Sequence, residues 1–390
     1  MSVREFDVVI KGELISRFYL HSLEIQNFRC FEHLVIEKLG RVNLIVGKNG
    51  VGKTSLLEGI WLLASGASWP VIHSILYDRN ELVRYNLPAN SARYEQIEAI
   101  QSFFTHPATK NASAVFRIGC KDAGVLEPRF PSHVDDDGKE YLDNDATHAE
   151  ALVIEFELRY DGTIYIKGYP NPGYIEKPEW PDLPITQGEL LRVVIKKSQE
   201  DSVVFIPVKG LPWQATARYW DKVALTSEED AILAFLRKFD PGISRFTFKG
   251  DNTQDTVRFS CVRTDRFDSV VPMAKLGEGT QRIFALAMAM SAASDGYLLI
   301  DEFETGLHHS IQADVWRDVF KLANEWYVQV FATTHSWDCV EAFQEASSEN
   351  KDEDATLIRL QNKRSGKGID AVVYNEDLLA KATRQQVEVR

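Results

Sequence analysis

One glycine-rich segment has the residue types and spacing that suit the binding of phosphate groups. Gly47–Thr54 reads GKNGVGKT, follows the apolar run Val42–Val46 and precedes a helix-forming run at Thr54–Ala64. This is the strand–turn–helix context that the pattern GxxxxGK[ST] requires. Its amide groups and the helix N-terminus would hold phosphate oxygens, while lysine would reach the β- and γ-phosphates and threonine would ligate Mg²⁺. The nucleotide-binding residues predicted here are Asn49, Gly50, Val51, Gly52, Lys53, Thr54 and Ser55.

Two adjacent carboxylates follow another apolar run. Tyr297–Ile300 reads YLLI and is followed directly by Asp301 and Glu302. An aspartate at such a strand end can hold Mg²⁺ and its hydration shell, and a glutamate beside it can take the proton of an attacking water. Because a phosphate loop lies upstream, we interpret Asp301 as a metal ligand and Glu302 as the general base.

Two further motifs fit the same chemistry. His335 ends the run FATTHS, and a parallel sheet would place it beside the γ-phosphate. We therefore predict a catalytic role for His335. The segment Leu276–Arg282 reads LGEGTQR before an apolar helical run, which predicts a second anion site at a helix N-terminus. Its nucleotide-binding residues are predicted to be Gly277, Glu278, Gly279 and Thr280.

These residues need a parallel sheet whose strand ends meet at one edge. Hydrophobic periodicity indicates several strands alternating with helices in both terminal parts of the chain. The predicted strands are Leu20–Ile25, Val42–Val46, 297–301, 327–333, 355–361 and 369–374, and the predicted helices are Thr54–Ala64, 281–294, 309–324 and 337–346.

The central region differs, because residues 112–207 read mainly as β-strands and are expected to form a mixed or antiparallel lobe with the strands of 20–46. Asp161-Gly162 predicts a hairpin turn. Further on, Thr226–Glu229 has a capping-box pattern that opens a core-facing helix. The chain is therefore predicted to be α/β with a phosphate-loop part at 1–75, a variable β-rich insertion at 76–203 and a second core part at 204–390.

Composition narrows the class of protein. The 390 residues are 44% hydrophobic and carry a formal net charge of −13, which excludes wholesale disorder and argues against a chain coated for DNA. No run approaches the ~18 apolar residues that a spanning helix needs, and the N-terminus does not read as a secretion signal. Cys30, Cys120, Cys261 and Cys339 are widely spaced, so we expect four buried free thiols in a cytoplasmic protein without a membrane partner.

The four motifs in this order resemble the ABC-type ATPase heads of the SMC/RecF/OLD group. The segment Leu23–Phe31 looks like the first strand and "NFR-x-F" turn of that group. The sequence DExExGLH at Asp301–His308, combined with ATTHS, is similar to OLD-like ATPases. The resemblance covers 20–65 and 204–390, and it implies an ABC-type P-loop ATPase head of mixed sheet with a β-rich insertion.

The resemblance also implies that ATP and Mg²⁺ bind between two heads packed head to tail. Lys53, Thr54, Asp301, Glu302 and His335 would act within one subunit, and the segment Leu276–Gln281 would cap the γ-phosphate in trans. The segment departs from the common LSGGQ pattern at Gly277 and Glu278, which leaves Thr280 or helix N–H groups to replace the usual serine contact. The glutamine of the Q-loop is not placed, with Gln96 and Gln101 as candidates.

Three functions remain open at this point. The first is an ATPase that forms sandwich dimers or a larger ring and controls a separate effector, such as a Toprim or HNH nuclease, in bacterial phage defence. We expect no nuclease site in this chain, because Asp352–Asp354 lies in a charged loop without a preceding apolar strand. The second is a RecF-like repair ATPase, which keeps nucleic acid open as a partner, and the third is a transporter subunit, which the missing LSGGQ disfavours.

Overall fold

The protein is built from three sheets, a small hairpin and seven helices within the residues that the computed structural model describes. These residues are 20–81, 99–107, 109, 112–120, 132–134, 140–142, 153–158, 164–169, 203–251, 254–349, 355–364, 366 and 368–374. The strands are β1 Leu23–Phe28, β2 Phe31–Ile36, β3 Val42–Val46, β4 Ala114–Gly119, β5 Ser132–Val134, β6 Glu140–Leu142, β7 Val153–Leu158, β8 Ile164–Tyr169, β9 Val203–Ile206, β10 Ile243–Asp251, β11 Gln254–Thr264, β12 Val271–Pro272, β13 Tyr297–Ile300, β14 Gln329–Thr333, β15 Ala355–Asn362 and β16 Ile369–Tyr374. The helices are α1 Lys53–Ala64, α2 Trp69–Asp78, α3 Trp213–Val223, α4 Ser227–Phe239, α5 Glu278–Ala292, α6 His309–Glu325 and α7 Trp337–Glu349.

The central sheet has six strands in the order β16-β15-β3-β14-β13-β9. Five of them are parallel, and β16 runs antiparallel at one edge. Every residue of β3, β13 and β14 is buried, as expected for parallel strands covered on both faces. The carboxyl ends of these three strands therefore lie at one edge of the sheet, which brings together the motifs that follow them.

The two faces of this sheet support separate hydrophobic cores. Side chains alternate along a strand, so Val42, Leu44 and Val46 join one core while Ile45 joins the other. The first core takes up the helices α3 to α7, and the second takes up α1, α2 and the lobe of antiparallel strands. The phosphate-loop helix is thus held between the parallel sheet and that lobe.

The position of β9 corrects one expectation. The sequence pattern placed strand 202–207 with the antiparallel lobe, whereas β9 is the edge strand of the parallel sheet and pairs with β13. Its pairing partner could not be read from the strand itself, because an apolar β-branched run suits either sheet. The lobe itself has the order β2-β1-β4-β7-β8, and β7 and β8 form the antiparallel pair predicted from the Asp161-Gly162 turn. The strand pattern at 193–197 and the carboxylates at 352–354 lie outside the described residues.

Helix boundaries agree with the sequence to within a few residues, and one difference matters. Helix α5 begins at Glu278 rather than at 281, so the glycine-rich segment forms its first turn. Thr226 caps α4 as predicted, by accepting the N–H of Glu228. In a capping box the carboxylate of Glu229 would accept the N–H of Thr226. Here it accepts the N–H of the preceding residue, Leu225.

The cysteines are free, but they are not uniformly buried. Cys261 and Cys339 are buried as expected, whereas Cys30 is exposed and Cys120 is intermediate. Cys30 follows β1 in the turn to β2, and its Sγ lies 2.5 Å from where a side chain on Gly52 would begin. Among the described helices, none is long and apolar enough to cross a membrane.

We predict that Trp316→Ala lowers the free energy of unfolding by about 3–5 kcal/mol, because it leaves a large cavity in the first core. Trp316 is fully buried and stacks on Phe303 at 3.7 Å between ring centroids. Urea denaturation measures the change. Phe267→Ala removes an aromatic ring that is 39% exposed and serves as the control, with a change of about 0.5 kcal/mol or less. Equal losses in the two variants would contradict the core assignment.

Candidate functional site

The phosphate loop has a conformation that only glycine permits at its turning points. Gly50 and Gly52 have φ values of 76° and 99°, in the region that disfavours other residues. A Cβ on Gly52 would meet Cys30 Sγ at 2.5 Å, and one on Gly47 would meet the Leu360 carbonyl oxygen at 2.6 Å. The loop is thus wrapped closely by the β1–β2 turn and by β15. This geometry suits a loop whose amide groups face a bound anion.

Lys53 lies over this loop. Its Nζ donates to the carbonyl oxygens of Gly47 at 2.8 Å and Lys48 at 3.3 Å. Burial lowers the pKa of this ammonium group, while the carboxylates of Asp301 and Glu302 act in the opposite direction. The cation is therefore held at the loop next to the two strand-end carboxylates.

Asp301 connects the phosphate loop with the neighbouring strand. Its Oδ2 accepts the hydroxyl of Thr54 at 3.0 Å and its Oδ1 accepts the hydroxyl of Thr333 at 2.6 Å. Two adjacent oxygen ligands of an octahedral Mg²⁺ lie about 2.9 Å apart, given metal–oxygen distances of about 2.0–2.1 Å. The oxygen pair of Thr54 and Asp301 matches this spacing and is the hard donor set that Mg²⁺ prefers. These two residues fit the metal that the sequence predicted.

Glu302 is held by its backbone and leaves its carboxylate accessible. Its φ of 49° lies in the left-handed region, and its N–H donates to the hydroxyl of Thr333 at 2.9 Å. The guanidinium group of Arg282 donates to the carbonyl oxygens of Asp301 and Glu302 at 3.1 and 3.0 Å. The Glu302 side chain is 37% exposed, and its Oε2 accepts the hydroxyl of Thr305 at 3.4 Å.

His335 lies next to both glutamates of this turn. Its Nδ1 is 3.8 Å from Oε1 of Glu302 and 3.1 Å from Oε1 of Glu304. The His335 backbone N–H also donates to Glu304 at 3.1 Å. The structure thus gathers Lys53, Thr54, Asp301, Glu302 and His335 at one edge of the sheet, as the sequence predicted.

The glycine-rich segment at the start of α5 stands apart from this cluster. Gly277 caps the helix with a φ of 96°, and both Gly277 and Glu278 are exposed. Within the described residues, no hydrogen bond or ion pair joins 276–281 to the phosphate loop. A Cβ on Gly279 would lie 3.1 Å from the carbonyl oxygen of Gly306, so this helix start packs against the turn after β13. The predicted anion-binding turn therefore contacts the turn after β13 and, within the described residues, forms no hydrogen bond or ion pair with the phosphate loop of its own chain.

Several residues that hold the site were not assigned roles by sequence reasoning. Glu304, Arg282 and Thr333 each lie inside a motif that the sequence singled out, but their partners are distant in the chain. Of the Q-loop candidates, Gln96 lies outside the described residues. Gln101 is the last helical residue before a turn, and its carbonyl oxygen accepts the N–H of Phe104. The segment after β9, at the same sheet edge as the site, is Pro207–Gly210 and contains no glutamine.

Comparison with known proteins gives matches in both parts of the ATPase core. A family model described as "AAA ATPase domain" matches residues 19–157, and one described as "AAA domain, putative AbiEii toxin, Type IV TA system" matches 213–338. The ATP/GTP phosphatase of Helicobacter pylori is 21% identical over 376 residues, covering 92% of this chain and 96% of the relative.

Two relatives match shorter parts of the sequence, and one solved structure has a similar fold. The OLD nuclease of Thermus scotoductus is 31% identical over 130 residues, 29% of this chain and 22% of that protein. RecF of Clostridioides difficile is 43% identical over 67 residues, 17% of each chain. The SMC head bound to the C-terminal winged-helix domain of ScpA has a TM-score of 0.50 at 15% identity, covering 94% of this chain and 99% of that one.

The chain therefore matches AAA ATPase domain models in two segments and is similar in sequence to parts of RecF and OLD nuclease. Its fold is the mixed α/β fold of an SMC head, which confirms the predicted fold class. The chain spans about a fifth of the length of the RecF and OLD proteins that it matches.

We predict that Gly52→Ala destabilises the protein by about 1–3 kcal/mol, since alanine is strained at this φ and collides with the Cys30 turn. Thermal or urea unfolding without nucleotide measures the loss. Gly250→Ala is the control, because its added methyl group meets open space. A Gly52→Ala protein as stable as wild type would contradict the close packing of the loop against that turn.

Proposed function

We propose that the cluster around Asp301 is the site at which this ATPase binds and hydrolyses ATP. The observation that carries the proposal is the hydrogen bond between Thr54 and Asp301, which joins the phosphate loop to the strand-end carboxylates. Loop amides and Lys53 would hold the phosphates. Mg²⁺, held by Thr54 and Asp301, would neutralise charge on the β- and γ-phosphates.

The reaction follows from the positions of the remaining groups. A water oxygen attacks the γ-phosphorus while Glu302 accepts the water proton, and the bond from that phosphorus to the β–γ bridging oxygen breaks. His335 lies at the neighbouring strand end, where its ring can donate a hydrogen bond to the γ-phosphate. Positioning and charge stabilisation of this kind account for most of the catalysis of phosphoryl transfer.

We further propose that ATP is sandwiched between two copies of the chain. At the start of α5, Gly277 and Glu278 are exposed and Gly279 and Thr280 are half-buried, and within the described residues none of them bonds to the phosphate loop of its own chain. A helix N-terminus of this kind suits the phosphates of a nucleotide bound by a neighbouring subunit. Arg282 ties the same helix to the backbone of Asp301 and Glu302. If the start of α5 binds a neighbour's nucleotide, the effect can therefore reach the turn of its own chain that carries Asp301 and Glu302.

The biological role that we propose is control of a separate effector, such as a nuclease, in bacterial phage defence. Two likenesses support it: the family model at 213–338 is described in terms of toxin–antitoxin systems, and OLD nuclease is among the relatives. The described residues contain no group of three or more His, Cys, Asp or Glu side chains that could hold a metal ion. An effector supplied by a second protein is consistent with this. The alternative of a RecF-like DNA-binding ATPase has the RecF match in its favour, but that match covers 17% of RecF.

We predict that Glu302→Gln keeps nucleotide binding and loses about 10²–10⁴-fold in hydrolysis rate, since the amide cannot accept the water proton. With ATP and Mg²⁺ the variant should accumulate as a dimer or as a ring of dimers, measured by light scattering. Lys53→Ala is the matched control, expected to lose nucleotide binding and to remain unassembled. Hydrolysis at the wild-type rate would remove Glu302 from the role of base, and a monomer at saturating ATP would refute the sandwich.

We predict that two inactive variants restore each other's activity when mixed. Lys53→Ala disables the phosphate loop, and Gly277→Glu blocks the start of α5 with a strained, bulky side chain at an exposed position. A mixed dimer would contain one composite site in which both parts are wild type. Partial recovery of ATP hydrolysis on mixing is expected, and no recovery from two folded, associating variants would show that the segment does not act in trans.

A further inference from the structure

We propose that Glu304 is the positioning residue for His335, and that it keeps the imidazole from engaging Glu302. The proposal deepens the proposed function and rests on it, because His335 is there assigned to the γ-phosphate. The sequence analysis assigns no role to Glu304.

The contacts of Glu304 converge on one residue. Its Oε1 accepts the backbone N–H of His335 at 3.1 Å and lies 3.1 Å from Nδ1 of the same residue. The same carboxylate oxygen therefore binds the main chain after β14 and lies next to the ring. A carboxylate that binds one ring nitrogen fixes the orientation of the ring and the nitrogen that carries hydrogen.

The carboxylate serves no other partner in the part of the chain that the structure describes. The Glu304 side chain is 11% exposed, and its Oε2 is buried and accepts no hydrogen bond from a described residue. Burying an ionised carboxylate is costly unless it is paired with other groups. Lys53 and Arg282 supply nearby positive charge. An apolar side chain at this position would fill the same space without the cost of burying a carboxylate.

The distances also separate the roles of the two glutamates. Nδ1 of His335 lies 3.1 Å from Glu304 but 3.8 Å from Glu302, which is beyond hydrogen-bond distance. A neutral or charged imidazole can carry one hydrogen on Nδ1. When this hydrogen is donated to Glu304, Oε1 of Glu302 stays free of the ring. In the charged ring the second hydrogen, on Nε2, can then be donated to the phosphate. Without Glu304, the ring would be free to turn toward Glu302 and occupy the base.

The first test compares Glu304→Ala with Glu304→Gln in steady-state ATP hydrolysis. The alanine variant should lose on the order of 10–100-fold in kcat, as loss of an outer partner of a functional histidine does, with KM and the affinity for ATP near wild type. Glutamine should recover part of the loss, because its amide oxygen can still accept both N–H groups. Glu341→Ala is the control, since Glu341 accepts a hydrogen bond from Trp337 in the same region without contacting His335.

A double-mutant cycle decides whether Glu304 acts through His335. Residues that work as one unit give non-additive losses, so Glu304→Ala should cause no further loss of kcat in a His335→Ala background. Additive losses would overturn the proposal and leave Glu304 with an independent or purely structural role.

The second test reads the ring directly by NMR of protein labelled with ¹⁵N-histidine. The His335 signals are assigned by their loss in His335→Ala. In wild type Nδ1 should carry a hydrogen, and Glu304→Ala or Glu304→Gln should shift the ring nitrogen signals. Unchanged signals in both variants would overturn the proposal. This readout needs no hydrolysis, so a wild-type protein that hydrolyses no ATP would refute the proposed function while the ring signals still decide the role of Glu304.

Discussion

The hydrogen bonds of Asp301 are the interactions on which the rest of the site depends. Its two oxygens accept the hydroxyls of Thr54 and Thr333, and its N–H donates to the carbonyl oxygen of Ile206. One residue thereby joins the ends of β9, β13 and β14 to the first turn of α1. Buried polar groups at the edge of an apolar sheet must be paired, so these strand ends hold each other in place. The spacing of the metal-binding oxygens follows from the packing of the sheet.

Two glutamates of one short turn have different surroundings. The left-handed backbone at Glu302 leaves its side chain 37% exposed, whereas Glu304 is 11% exposed and holds His335. In the proposed mechanism the first carboxylate meets water and the second orients a ring. Arg282 donates hydrogen bonds to the backbone carbonyl oxygens of Asp301 and Glu302. Burial lowers the pKa of its guanidinium group, while the nearby carboxylates act in the opposite direction. The turn after β13 is therefore a scaffold as well as a source of catalytic groups.

Helix α5 links the two proposed halves of a composite site. Gly277 and Glu278 at its start are exposed, and one turn further along Arg282 donates to the backbone carbonyl oxygens of Asp301 and Glu302. In the proposed dimer, a nucleotide bound to one chain would contact the first turn of α5 in the other chain. The next turn of that helix contacts the backbone of Glu302, the proposed base of that other chain. The rigid hydrogen bonds of Arg282 give this coupling a physical route, and the mixing experiment tests the geometry that it requires.

The sequence alone determined the phosphate loop, the strand-end carboxylates, His335 and most elements of the core, because glycine spacing and apolar periodicity are local signals. The mixed α/β fold also followed from the order of those motifs. Only the tertiary structure decided the rest. The apolar run of β9 suits either sheet, so its place beside β13 depended on packing. The roles of Arg282, Thr333 and Glu304 arise from partners brought close by the fold, and the exposure of Cys30 depends on a turn that packs against Gly52. Contacts between residues far apart in the chain leave no local pattern, which is why sequence reasoning named the candidate site residues but not the residues that contact them.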